Sequence, residues 1–132
     1  MAPEEELFRA ALEARRRAYA PFSGYQVGAA IRGGSGAVYL GANMENQSYP
    51  EGWCAETSAI AAMVMAGERE IAEVCVVSDA EPPGTPCGGC RQRLAEFSRP
   101  ETLVHTANLA GPQASFTISE LLPESFRFRE TS

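Results

Sequence analysis

The chain has 132 residues, of which 45% are hydrophobic and 21% charged. That length suits one domain, residues 1–132, burying roughly two-thirds of its unfolded surface, and the composition is too apolar for disorder. Eleven basic residues, all arginine, against 17 acidic ones leave a formal charge of −6, which excludes a general phosphate-backbone binder but not a small neutral ligand.

Pro3 to Ala20 reads as a helix. Pro3 suits a first turn, Glu4 to Glu6 favour the positive N-terminal end, and Arg15 to Arg17 favour the negative C-terminal end. Leu7, Ala11, Leu12, Ala14 and Ala18 form its apolar stripe, and Pro21 stops it. Tyr25 to Arg32 and Ala37 to Ala42 are β-type runs joined by Gly33-Gly34-Ser35-Gly36, a hairpin pattern. Asn43 to Gly52 is a polar loop. Cys54 to Ala66 is nearly uncharged after Glu56 and predicts a buried helix closed by Gly67. The Val-rich run Ile71 to Ser78 predicts a central strand. A Pro/Gly loop follows, then a helix over Cys87 to Phe97 and strands over Thr102 to Thr106 and Ala114 to Ile118. Ser119 resembles the N-cap of a last short helix stopped by Pro123. The alternation predicts an α/β domain with a mixed sheet.

The acidic start, Met1 to Glu6, is unlike the basic beginning of a secretory signal, and no stretch approaches the ~18 apolar residues of a membrane helix. A cytoplasmic location with reduced thiols is therefore expected. In that setting four cysteines, Cys54, Cys75, Cys87 and Cys90, point to metal or catalysis before disulfides.

Two motifs carry the chemistry: Cys54-Ala55-Glu56 and Pro86-Cys87-Gly88-Gly89-Cys90. Both fall at predicted helix starts, which in parallel α/β architecture collect at the carboxyl ends of neighbouring strands. Helix N-termini lower thiol pKa values, and thiolates bind zinc. Three protein ligands leave the fourth tetrahedral position to water, the pattern of a catalytic zinc site. Glu56, in the same first turn as Cys54, is too close to be a comfortable ligand but is well placed to exchange a proton with that water. A structural zinc site would want a fourth protein ligand. Cys75 and His105 are the candidates, yet both lie within apolar strand runs, where core packing explains them. A redox Cys-x-x-Cys pair would leave Cys54 and Glu56 unexplained.

Cys-Ala-Glu followed by Pro-Cys-x-x-Cys resembles the zinc-dependent nucleoside and base deaminases. Ala20-Pro21-Phe22-Ser23-Gly24-Tyr25-Gln26-Val27-Gly28-Ala29-Ala30, Asn43-Met44-Glu45-Asn46, Cys90-Arg91-Gln92 and Glu120-Leu121-Leu122-Pro123 are similar to segments of the small cytidine deaminases. The resemblance runs from the first helix to about Phe126. It implies a three-layer α/β/α sandwich with a mixed five-stranded sheet and a likeness to homotetrameric enzymes whose sites are shared between subunits. It also implies one Zn2+ per chain on Cys54, Cys87 and Cys90, with hydrolysis of cytidine, and of 2'-deoxycytidine, to the uracil nucleoside and ammonia. In that scheme Glu56 carries protons, Asn43 and Glu45 bind ribose hydroxyls, Tyr25 and Val27 line the base pocket, and Ala55 offers backbone groups to the pyrimidine edge. Tyr49 lies at the subunit junction and Phe126 reaches a neighbouring subunit's site.

One position departs from the pattern: Thr57 stands where many three-cysteine members carry arginine after the Cys-Ala-Glu glutamate. Zinc with three thiolates carries 2 − 3 = −1, and hydrogen bonds to sulfur offset that charge. Arg91, with Gln92 beside it, and the two helix termini are expected to supply the offset. A polynucleotide deaminase acting on extruded bases would need a basic groove, which a charge of −6 disfavours. Two further rival readings share the cysteine pattern: an aminonucleoside deaminase of the blasticidin type, and a zinc-stabilised binding module without turnover. The intact Asn-x-Glu segment and its upstream aromatic block favour a cytidine enzyme over the first. The second demands a fourth protein ligand.

Overall fold

A computed structural model of the chain describes residues 2–126, and in it the Val-rich run is the middle strand of five. The elements are α1 (Pro3–Arg15), β1 (Gly28–Gly33), β2 (Val38–Ala42), α2 (Ala55–Met65), β3 (Ile71–Val77), α3 (Gly88–Glu96), β4 (Leu103–Asn108), β5 (Gly111–Thr117) and α4 (Ile118–Leu121). The strand order is β2-β1-β3-β4-β5. Only β3 and β4 are parallel; the other neighbours are antiparallel, so the sheet is mixed as expected. No described helix is long and apolar enough to cross a membrane.

Strand alternation builds the three layers. Val74 and Val76 join Ala29, Ile31 and Val104 against Ala59, Ile60 and Met63 of α2 and Leu94 of α3. Cys75 and Val77 join Ala30 and Ala107 on the opposite face, against Leu7 and Ala11 of α1. A central strand apolar on both faces needs helices on both sides, which is why β3 is unbrokenly apolar and buried from Val74 to Val77.

Two glycines let the helices lie close to the sheet. A methyl group at Gly41 would run into the Ala55 carbonyl and Ala59 amide of α2. One at Gly28 would run into the Ala11 carbonyl and Arg15 amide of α1. Both glycines sit at one end of the sheet, where Gly28 is in register with Ala42 of β2 and with Val77 of β3. At that end β2 and β3 finish and α2 and α3 subsequently begin. The two strands are not neighbours, contrary to expectation: β1 runs between them in the opposite direction.

The remaining differences have local causes. The first helix stops at Arg15, five residues before Ala20. There the Arg15 Nε donates to the Gln26 carbonyl at 3.0 Å, and Tyr19 pairs with the 43–45 segment through bonds of 2.9 and 2.8 Å. The first strand begins at Gly28, not Tyr25, because the Asn43 side chain takes over the pairing of residues 25 and 27. The last helix is capped by Thr117, not Ser119. The Thr117 hydroxyl accepts from the Glu120 amide at 3.2 Å, and the Glu120 carboxylate accepts from the Thr117 amide at 2.8 Å, a capping box.

Gly41→Ala is expected to lower stability by ~1–3 kcal/mol, the usual cost of overpacking, read as a lower midpoint of urea unfolding. Gly34→Ala is the control: its methyl would meet Glu70 at an ordinary 3.6 Å, and the midpoint should stay near that of the unaltered protein.

Candidate metal centre and adjoining cavity

Cys54 and Cys87 are the N-cap residues of α2 and α3, and neither spends its side chain on capping. Their sulfurs are thus held by backbone geometry and left available. Cys90 follows in the first turn of α3 and is fully buried. The three sulfurs lie within 4.8 Å of one another, with Cys54 and Cys87 at 3.9 Å. Tetrahedral zinc with Zn–S bonds of ~2.3 Å needs sulfur–sulfur edges of about 3.8 Å. The donor set and its spacing fit zinc.

The two rival ligands stand apart. Cys75 is fully buried among apolar neighbours, and burial, then the charges of Glu4 and Glu73, pushes its thiol up to about 12. His105 is saturated: one ring nitrogen meets the Ser115 hydroxyl at 2.7 Å and the other the Glu73 carboxylate. Among the described residues the cluster has three members. Within it, the hydrogen bond with Cys90 draws the Cys54 thiol down against its burial. The same bond and burial push Cys90 up, while Thr57 pulls the other way.

A cavity of about 210 Å³ opens beside these sulfurs. Tyr25, Val27, Asn43, Cys54, Ala55, Glu56 and Cys87 line it, so seven of the residues singled out from sequence share one wall. Glu56 is only 5% exposed, and burial raises its carboxyl pKa. Burial thus favours the protonated form of this carboxyl more than water would. A second hollow of about 530 Å³ shares Asn43 and Cys54 and adds Phe22, Ser23, Glu45, Tyr49 and Trp53.

Asn43 and Glu45 brace the loop that walls both spaces. The Asn43 side-chain Oδ1 accepts from the Val27 amide and its Nδ2 donates to the Tyr25 carbonyl, each at 2.8 Å. Glu45 accepts from the amides of Phe22 and Ser23 at 2.9 and 3.1 Å and from the Ser23 hydroxyl. The Ser23 hydroxyl, more than any other group, holds that carboxyl below its usual range.

The cytidine and deoxycytidylate deaminase zinc-binding region matches residues 1–106. The chain belongs to this family of deaminases. A cytidine deaminase of Halalkalibacterium halodurans is 43% identical over 120 residues, spanning 91% of each chain. One of Sporosarcina psychrophila is 39% identical over 128 residues, spanning 97% of this chain and 94% of the other. The crystal structure of cytidine deaminase from Burkholderia pseudomallei superposes with a TM-score of 0.90 at 38% identity, over 96% of this chain and 100% of that one.

Within this deaminase fold Arg91 does not perform the task expected of it. Its Nε donates to the Pro86 carbonyl at 2.7 Å, Nη1 to the Leu121 carbonyl at 2.8 Å and Nη2 to the Thr85 hydroxyl at 2.7 Å. It ties the loop before Cys87 to the C-terminal segment instead of serving sulfur. The group that meets sulfur is Thr57, 3.6 Å from Cys90. Gln92 clasps the backbone of Phe126 through two bonds of 3.2 Å, and the Phe126 ring, 75% exposed, lines neither space in its own chain. Reading the sequence missed Ser78, Gly84 and Thr85 in the cavity wall and Ser23 under Glu45. Ser78 had a signal: it directly follows β3, at the end of the sheet where ligands bind.

Cys87→Ser should reduce zinc from about one per chain towards none by elemental analysis, whereas Cys75→Ala should keep its zinc.

Proposed function

We infer that this protein hydrolyses free cytidine to uridine and ammonia, and 2'-deoxycytidine likewise, with one zinc per chain on Cys54, Cys87 and Cys90. The carrying observation is that a cluster of three thiols borders one small cavity, which two of them, Cys54 and Cys87, line together with the buried carboxyl of Glu56. The named relatives, cytidine deaminases matched over most of their length, support the substrate.

Zinc, when bound, supplies Lewis acidity that lowers the pKa of water from about 16 towards ~7. The chain's own residues do the rest. Glu56 takes a proton from the attacking water and delivers it to ring N3; it then takes the proton of the hydroxyl newly bonded to C4 and delivers it to the amine, which leaves as ammonia. Its raised pKa suits both directions of transfer. Tyr25 and Val27 flank the base, and Ala55, the first residue of α2, offers its backbone to the pyrimidine edge. Glu45 has about four lone-pair sites, three of them filled by the loop, so it keeps one to accept from a ribose hydroxyl. Asn43 keeps a second amide hydrogen and a second lone pair for the same diol.

The subunits form a homotetramer in this reading, with sites shared between chains. Tyr49 and Phe126, 77% and 75% exposed, are large apolar groups that a neighbouring subunit would cover. A cytoplasmic location keeps the three thiols reduced. The charge of −6 disfavours polynucleotide substrates.

Glu56→Gln should retain fold and zinc but lose ~100-fold or more of its turnover, followed as the ultraviolet change when cytidine becomes uridine. Near-full turnover would remove Glu56 from the scheme. Sedimentation equilibrium of the zinc-loaded protein should give a four-chain species; a monomer would overturn the assembly.

A further inference from the structure

We propose that the Thr57 hydroxyl is the side-chain donor that holds Cys90 as a metal-binding thiolate, a positioning role at the zinc centre. This rests on the reading that the three cysteines bind zinc. Zinc with three thiolates leaves one excess negative charge on the cluster. The chain has no lysine, and Arg91 spends its hydrogen bonds on Pro86, Leu121 and Thr85. None of those three bonds reaches sulfur, which leaves a place for neutral donors to share that charge.

Cys54 and Cys87, as N-caps, each stand beside the free N–H groups of a helix start. Cys90 lies further into α3 and is the buried sulfur, with the least help from water. Its one non-cysteine side-chain partner among the described residues is Thr57, at 3.6 Å. Between a thiol and a hydroxyl either atom could donate. A sulfur that ligates metal has no proton, so the direction is then fixed: Thr57 donates and Cys90 accepts. Thr57 sits three residues after Cys54, on the helix facing α3. The bond thus links the helix carrying one ligand to the sulfur of another, setting the spacing of the cluster as well as its charge.

The test is zinc competition against a chromophoric chelator. Thr57→Val replaces the hydroxyl with a methyl of similar size and should weaken zinc binding ~10-fold, the range seen when an outer partner of a metal ligand is removed. Thr57→Ser should restore it. In the cobalt-loaded protein the sulfur-to-metal charge-transfer band should shift in the Val variant and return in the Ser variant. Should Thr57→Val not fold by urea titration, Thr57→Ala, which also lacks the hydroxyl, carries the same expectation. Zinc binding unchanged without the hydroxyl, or equally weak in the Val and Ser variants, overturns the proposal. Failure of the unaltered protein to take up zinc would instead sink the zinc reading, and this inference with it.

Discussion

In this chain three thiols meet because two helices start at the same end of a sheet and press closely against it. Everything functional in this chain depends on that convergence. It is produced by the shared ending of β2 and β3, by the opposed strand between them, and by bare backbone at Gly41 where α2 comes down onto the sheet. The cysteines contribute no capping bonds of their own. Their positions are inherited from helix and strand geometry, so the metal centre is only as firm as the core packing beneath it.

The same convergence explains the carboxyl. Glu56 lies two residues after a ligand, in the first turn of a helix whose following residues are core. Putting a ligand at the helix start thereby takes the carboxyl out of water. Burial of a carboxyl costs free energy, and the group answers by holding its proton more tightly. Carboxyls shifted in this way by burial are commonest at functional sites.

Much of this was legible in the residues. The mixed sheet, the central β3, the gathering of Cys54, Cys87 and Cys90 and the burial of Cys75 and His105 follow from periodicity and from the chemistry of thiols. Boundaries were less legible. Nothing in Arg16 to Ala20 says that Tyr19 will pair with the 43–45 segment, so the helix looks longer than it is. Thr117 and Ser119 are both good caps, and the choice falls on the one whose third successor is Glu120. Arg91 was misread for a related reason. Its charge is visible in a sequence, but the carbonyls of Pro86 and Leu121 that capture it come from the folded backbone. Thr57 has the opposite history: a modest hydroxyl in a helix acquires meaning from the neighbour across the groove.

The clasp between Gln92 and Phe126 couples distant parts of the molecule. An amide side chain imitates a rung of β-structure and fastens the tail to α3, the helix that carries Cys87 and Cys90. The ring points outward like the handle of a lever whose fulcrum is the metal-bearing helix. Whatever displaces the tail therefore bears directly on the helix that carries two of the three clustered sulfurs.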